Sequence, residues 1–251
     1  KTLKKISTGK NEDKFGLAER SFLNIISKYK NSSNLNIKCI SVHIGSQITS
    51  HIPYKNMLKV IDKVIKKSNY KFEYIDLGGG MGIKYDKKNN QLNYKKYNIL
   101  IKKFIKKNKS KIIFEPGRSI VGNTGLLLTK ILYIKKTKKI NFVILDAGMN
   151  DLMRPALYGA KHIIIPSKKN NIIRNIKHEF VGPICETTDK FLTLANYQNL
   201  NEGEILAICD VGAYGFALSS NYNLRTKPSE ILVNKSSINL ITKRQKLKDI
   251  I

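Results

Sequence analysis

The sequence predicts an α/β fold plus a mostly β domain, in which the last units of a partial (β/α)8 TIM-type barrel precede the strand-rich part. Short apolar runs alternate with helix-patterned segments in the first half, and such alternation favours a parallel sheet. In the second half helical periodicity is sparse, and short apolar runs follow one another across turn-like segments. The change falls near Gly125, so we predict two domains, residues 1–125 and residues 126–251.

The first half alternates predicted strands with predicted helices. Residues 53–67 show the clearest helical spacing, with apolar side chains at Met57, Ile61 and Val64, and Pro53 suits a first helical turn. The strands are predicted at 4–7, 37–43, 72–77 and 112–114, and the helices at 17–28, 53–67 and 94–107.

The second half is predicted from its strand patterns, at 126–134, 142–145, 163–165, 180–181, 205–208 and 231–233. A closed barrel of the predicted type takes about 250 residues, whereas here only about four β/α units precede the β domain. We therefore expect the chain to be the C-terminal part of a longer protein.

The net charge of +28 is carried mostly by lysine, because only six of the 46 basic residues are arginine. The lysines are spread along the whole chain, whereas a nucleic-acid binder would cluster arginine with aromatic residues on one surface. We therefore expect no specific nucleic-acid binding, and only weak adhesion to polyanions.

Cysteine, histidine and hydropathy patterns exclude several other classes. Three scattered cysteines form no disulfide framework, and the four histidines lack zinc spacing, so no metal site is predicted. No stretch of about 20 apolar residues predicts a membrane span, and no signal core follows the basic start. These patterns favour a reducing, cytoplasmic setting.

Three motifs follow predicted strands, and that edge of a β/α barrel is where active sites are built. The motifs are 43–46 (His-Ile-Gly-Ser), 78–80 (Gly-Gly-Gly) and 115–118 (Glu-Pro-Gly-Arg). Glycine amides can approach a phosphate closely, although a dinucleotide loop or a simple tight turn would use the same residues. A dinucleotide-binding fold requires an acidic residue on a second strand about 20 positions later. No convincing strand there carries one, and this disfavours a dinucleotide-binding fold.

The charged and aromatic residues of these motifs suit an aromatic cofactor and an amino acid. Glu115 can hold a protonated ring nitrogen, and Arg118 offers a planar fork for a carboxylate. The alternative is a structural Glu115–Arg118 ion pair. His43 can stack on a ring or be a hydrogen-bonded histidine at the barrel mouth, and Ser46 can donate to the same site or cap a turn.

The second half contributes further candidates. Arg154 and Tyr158 share a face if they lie on one helical turn, although a structural ion pair is also open to Arg154. Cys185 can donate a proton beside Glu186, or be a buried cysteine. Tyr214 lies between glycines, where its phenol can bind phosphate or pack.

With these motifs in this order, the chain resembles the diaminopimelate decarboxylase family, pyridoxal-phosphate enzymes of the alanine-racemase-like fold class. The resemblance covers nearly the whole chain and is carried by residues 41–47, 76–80, 115–118, 146–155, 182–186 and 212–215.

The resemblance implies a reaction and a set of roles. The reaction is pyridoxal 5'-phosphate-dependent decarboxylation of meso-2,6-diaminopimelate to L-lysine and CO2, the last step of lysine biosynthesis, in a homodimer with shared active sites. Cys185 is implied as the proton donor. The implied cofactor-binding residues are His43, Ser46, Gly78, Gly79, Gly80, Glu115, Pro116, Gly117, Arg118 and Tyr214. The implied substrate-binding residues are Arg118, Arg154, Tyr158, Glu186 and Tyr214.

The chain departs from the family in two places. The family's Schiff-base lysine lies on an early barrel strand, and no lysine here occupies that context. Thr187 stands where the family usually has serine, and it keeps the hydroxyl. Two alternatives therefore stay open: a decarboxylase of another amino acid or polyamine precursor, and a non-catalytic relative that lacks the lysine.

Overall fold

The structure is a computed structural model that describes residues 14–86 and 90–251, so the predicted strand at 4–7 lies outside the described residues. The chain divides into two compact units, the first ending at Ile120 and the second running from Val121 to Ile251. Within the described ranges, no helix combines the length and the apolar character needed to traverse a bilayer.

The first unit alternates helices and strands as the sequence predicts. Its elements are α1 (Glu19–Tyr29), β1 (Cys39–Ser41), α2 (His51–Ser68), β2 (Tyr74–Asp76), α3 (Tyr94–Asn108) and β3 (Lys111–Ile113), and α4 (Arg118–Val121) follows them. The strands pair in parallel in the order β1-β2-β3. This arrangement confirms the partial barrel, because each crossover carries one helix.

The two crossover helices begin and end at residues that satisfy their terminal backbone groups. The Ser50 hydroxyl accepts from the Ile52 amide (3.2 Å) at the start of α2, and the Asn93 side chain accepts from the Lys96 amide (2.9 Å) at the start of α3. Asn69 and Lys109 end them in the left-handed conformation.

The core of the first unit lies between its sheet and its helices. Ile75 of β2 is fully buried, and Phe72 and Leu77 on either side of that strand are each 1% exposed. Tyr54 of α2 packs against Tyr97 of α3 with 4.7 Å between ring centroids. The helices therefore hold the sheet from one side, which leaves the loops after the strands at a common edge.

The second unit is mostly β and is built on a six-stranded sheet of order β6-β11-β4-β5-β8-β9, with β5 and β8 parallel and the other pairs antiparallel. Smaller pairs are formed by β7 with β10 and by β12 with β13. The elements are β4 (Leu126–Lys136), β5 (Ile140–Leu145), α5 (Arg154–Tyr158), β6 (Ile164–Pro166), β7 (Ile173–Arg174), β8 (Lys177–Val181), β9 (Lys190–Leu194), β10 (Tyr197–Gln198), β11 (Ile205–Cys209), β12 (Glu230–Asn234) and β13 (Ser237–Thr242).

The structure adds four strands to those predicted: β7, β9, β10 and β13. β7 and β10 have only two residues each, too short for any periodicity to show. β13 is exposed along nearly its whole length, and its sequence alternates polar and apolar residues only from Ser237 to Leu240.

Candidate functional site

In the first unit, the loops that follow β1, β2 and β3 are bonded to one another through their backbones. The Ile48 amide donates to the Gly80 carbonyl (2.9 Å), and the Gly82 amide donates back to Ile48 (3.0 Å). The Glu115 amide donates to the Gly78 carbonyl (2.9 Å). All three sequence motifs of this unit therefore lie at one edge of the sheet.

The glycine run allows these loops to approach closely. A Cβ on Gly79 would overlap the Glu115 carbonyl oxygen, and a Cβ on Gly80 would overlap the Gly45 carbonyl oxygen. Gly78 and Gly80 also have φ of 63° and 82°, in the region that glycine favours. The structure thus gives the run a packing role that the sequence analysis did not foresee.

Asp76, at the end of β2, organises the same run. Its carboxylate is 8% exposed and accepts hydrogen bonds from the Gly78 amide (2.8 Å) and the Ser41 hydroxyl (3.2 Å). Sequence reasoning assigned Asp76 no role, although a polar residue that ends an apolar strand directly before a glycine run is a usable signal.

His43 lies on the glycine loop. The Gly79 amide donates to its Nδ1 atom at 3.4 Å, and its side chain is exposed. Because Nδ1 accepts, a neutral ring carries its proton on Nε2. This is the hydrogen-bonded histidine of the simpler interpretation, and the exposed ring also fits the stacking role.

Glu115 and Arg118 differ in their exposure. Glu115 is exposed, as are Pro116 and Gly117, whereas Arg118 at the start of α4 is only 7% exposed. The Arg118 guanidinium donates to the Tyr85 hydroxyl and to Ser46 Oγ (3.2 Å). Ser46 thus supports Arg118, and Tyr85 is a partner that sequence reasoning missed.

In the second unit, Cys185 and Glu186 share the loop between β8 and β9, and both are exposed. The exposed thiol argues against the interpretation of Cys185 as a buried packing residue. The Glu186 carboxylate accepts hydrogen bonds from Tyr222 and from Thr188 Oγ1 (3.0 Å), and these bonds hold its pKa below the ordinary value.

Tyr222 and Asn223 form a second segment around this loop, which sequence reasoning missed. The side-chain amide nitrogen of Asn223 lies 3.8 Å from Cys185 Sγ, and the Tyr222 hydroxyl donates to the Glu186 carboxylate. Asn223 and Leu224 have φ of 55° and 54°, unusual for residues other than glycine and frequent at functional sites.

Arg154 is buried at the start of α5 and is held by a histidine. Its Nη1 atom lies 2.7 Å from His162 Nε2, and His162 Nδ1 lies 2.8 Å from the Cys209 carbonyl oxygen. Arginine only donates, so Nε2 accepts and the proton on Nδ1 is donated to Cys209. Tyr158 lies one helical turn after Arg154, and it is half-buried.

Tyr214 occupies a turn with φ of 59°, and its side chain is 46% exposed. Glycines flank it because a Cβ on Gly212 would overlap the Val121 carbonyl and one on Gly215 would overlap the Val211 carbonyl. The glycines on either side of Tyr214 therefore allow this turn to approach neighbouring backbone closely.

The comparisons with known proteins match these motifs to one family. Residues 1–122 match the family described as pyridoxal-dependent decarboxylase, pyridoxal binding domain. The diaminopimelate decarboxylase of Aquifex aeolicus is 39% identical over 251 residues, covering 98% of this chain and 59% of that protein. The enzyme of Neisseria meningitidis serogroup B is 40% identical, covering 99% of this chain and 60% of that protein.

A solved structure shows the same fold. The Helicobacter pylori diaminopimelate decarboxylase, crystallised with L-lysine, superposes with a TM-score of 0.91 at 38% identity, covering 100% of this chain and 62% of that chain. The matched region is the C-terminal part of these relatives, so the chain spans about three fifths of their length. Residues 1–122 thus match the pyridoxal binding domain of pyridoxal-dependent decarboxylases, and nearly the whole chain is similar in sequence and fold to diaminopimelate decarboxylases.

Proposed function

We propose that this chain supplies part of the active site of a decarboxylase that converts meso-2,6-diaminopimelate to L-lysine and CO2. The observation that carries the proposal is the exposed loop that presents the Cys185 thiol next to the Glu186 carboxylate, together with identities of 38–40% to diaminopimelate decarboxylases. Because the chain spans only part of those relatives, the activity, the substrate and the partners all belong to the proposal.

The residues of the first unit fit pyridoxal 5'-phosphate. The exposed Glu115 carboxylate suits a protonated ring nitrogen, and the exposed His43 ring, fixed at Nδ1 by the Gly79 amide, suits an aromatic face. The loops around Gly80 and Gly117 offer backbone amides to an anion. When bound, the cofactor withdraws the electron pair left by the departing CO2.

Two charged residues of the second unit suit a substrate with an amino acid at each end. The Arg154 guanidinium can bind a carboxylate, and Glu186 can bind an ammonium group. Hydrogen bonds from Tyr222 and Thr188 lower the pKa of Glu186 below its ordinary value, so the carboxylate keeps its negative charge over a wider pH range, which favours that role. Ornithine and arginine lack a distal carboxylate, so this pair favours diaminopimelate.

Cys185 completes the reaction by giving a proton to the carbon that lost CO2. Its thiol is exposed, and the Asn223 side-chain amide nitrogen lies 3.8 Å from Sγ. Tyr158 and Tyr214 belong to the proposal as further substrate contacts, and Arg118 as a carboxylate contact. A homodimer with shared active sites and a cytoplasmic setting are part of the same proposal, the setting being supported by three free cysteines in the described residues.

The test uses the full-length protein that carries this chain. Cys185→Ala should leave the cofactor absorption spectrum unchanged and lower turnover of diaminopimelate by about 10²- to 10⁴-fold, the usual contribution of a general acid. Cys39→Ala is the matched control, because Cys39 is also exposed but lies on β1. Equal turnover in both variants would remove Cys185 from the reaction.

Substrate choice is tested by comparing diaminopimelate with ornithine, arginine and carboxynorspermidine. Preference for one of the latter would establish the alternative of a decarboxylase for another amino acid or polyamine precursor. If no lysine of the full-length protein forms a borohydride-reducible link to the cofactor, the protein is a non-catalytic relative.

A further inference from the structure

Asp189 is a buried carboxylate that bonds to two separate loops of the second unit. It lies directly before β9 and is 3% exposed. Its Oδ1 atom accepts from the Met149 amide at 2.7 Å, and its Oδ2 atom accepts from the Ile184 amide at 2.7 Å. One side chain therefore joins the loop after β5 to the loop between β8 and β9.

Two glycines make room for this carboxylate. A Cβ on Gly182 would overlap both carboxylate oxygens of Asp189. A Cβ on Gly148 would lie 2.9 Å from Asn150 Oδ1, 3.2 Å from the Pro183 ring and 3.3 Å from Asp189 Oδ2. The glycines of both loops thus fit the presence of Asp189, which the proposed reaction does not itself use.

The joined loops carry the residues proposed to act on the substrate. Ile184 directly precedes Cys185 and Glu186, and the Asp189 amide donates to the Glu186 carbonyl at 3.0 Å. Met149 lies five residues before Arg154, which begins α5, and α5 packs against β9. The position of Arg154 relative to Cys185 and Glu186 therefore depends on the bonds that Asp189 makes.

The buried position has an electrostatic consequence. Burial raises the pKa of Asp189 above the ordinary aspartate value, while the amide bonds from Ile184 and Met149 and the nearby Arg225 oppose the shift. Both amides donate, so only a carboxylate presents an acceptor to each of them.

We infer that Asp189 is a positioning residue that sets the Cys185–Glu186 loop against the segment leading to Arg154. The inference rests on the proposed function, because it assigns Asp189 its effect through those three residues. It predicts that loosening the bond between the loops disturbs both proton delivery and substrate binding, and leaves cofactor binding intact.

The test compares variants of the full-length enzyme. Asp189→Asn keeps the size of the side chain but turns an NH2 group toward one of the two donor amides. Glu179→Gln is the matched control, since it removes a carboxylate from β8 that pairs with Lys190 of β9 at 2.8 Å and does not bond to the loop. Gly182→Ala is a second variant that crowds the Asp189 carboxylate and keeps its charge.

Two readouts are needed. The first is kcat per cofactor-loaded site and KM for diaminopimelate, for which Asp189→Asn should lower kcat/KM by about 10- to 100-fold, the cost of a misplaced catalytic group. A purely structural role would reduce the number of loaded sites and leave KM unchanged. The second is amide hydrogen exchange in peptides covering 148–152 and 183–188, which should accelerate in the cofactor-free protein.

If Asp189→Asn matches Glu179→Gln in either readout, the inference is overturned. If Asp189→Asn does not fold, Gly182→Ala decides, with a change in the same direction as support and wild-type behaviour as refutation. Accelerated exchange in a protein whose wild type does not act on diaminopimelate would instead refute the proposed function and leave the link between the loops established.

Discussion

Two buried histidines of the second unit should lose very different amounts of stability on the same substitution by phenylalanine. His162 is 1% exposed and both of its ring nitrogens are bonded, to Arg154 at 2.7 Å and to the Cys209 carbonyl at 2.8 Å. His178 is 2% exposed, and its Nδ1 atom has no hydrogen-bond partner among the described residues.

The expected magnitudes follow from the polar groups left behind. His162→Phe removes an acceptor from Arg154 and a donor from the Cys209 carbonyl, and each buried group costs about 1–3 kcal/mol, roughly 2–6 kcal/mol in total. His178→Phe removes the unpartnered Nδ1 atom and at most the ring's backbone hydrogen bond to Ile176, so we expect a loss of about 1 kcal/mol or less.

The assay is urea denaturation of the full-length protein followed by circular dichroism, with the difference in unfolding free energy taken at pH 8. Equal losses for the two variants would show that generic histidine packing, and not the hydrogen bonds of His162, sets the cost. The same experiment at lower pH tests the charge state of His178.

Burial lowers the pKa of His178 below the ordinary histidine value. The unfolded chain therefore binds a proton more readily than the folded protein, and stability falls as the pH drops through the ordinary histidine pKa of about 6.5. His178→Phe should make stability less sensitive to pH between about 7 and 5. Parallel pH profiles for wild type and variant would contradict this reasoning.

Three further changes test other contacts. Tyr222→Phe should raise the pKa of Glu186 toward the ordinary range and raise KM for the substrate at acidic pH, whereas an unchanged pH profile of KM would separate the two residues. Gly79→Ala should abolish cofactor absorbance, because its Cβ would overlap the Glu115 carbonyl; a normal spectrum would show that the loops can separate without loss. Phe180→Ala removes a fully buried ring and should cost about 3–5 kcal/mol of unfolding free energy, with a loss under 1 kcal/mol indicating that the site collapses.

Sequence patterns predicted α2 and α3 of the first unit well because these two helices combine amphipathic spacing with side-chain caps. Predicted helix 53–67 corresponds to α2 (His51–Ser68), and predicted helix 94–107 to α3 (Tyr94–Asn108). Local signals suffice there, since the apolar face and the capping residues are close in sequence. The motifs at the strand ends were also predicted to lie at one edge, because the strands of a parallel sheet all end at the same edge.

Partners distant in the chain escaped prediction because no local pattern encodes them. His162 bonds to the carbonyl of Cys209, 47 residues away, and Asp189 bonds to Met149, 40 residues away. The glycine run shows a related limit: its sequence predicts close approach to a phosphate or a tight turn, and only the structure shows how closely it approaches the neighbouring loop backbones. The predicted roles of the site residues toward cofactor and substrate stay predictions.

The direct contact between the loop backbones of the first unit restricts how this protein can be redesigned. Main-chain atoms there touch main-chain atoms, so exchanging side chains at Gly79 or Gly80 cannot reshape that surface gradually. A library aimed at new substrates should therefore vary side chains of the second unit, such as Tyr222, and leave unchanged the three loops that follow β1, β2 and β3.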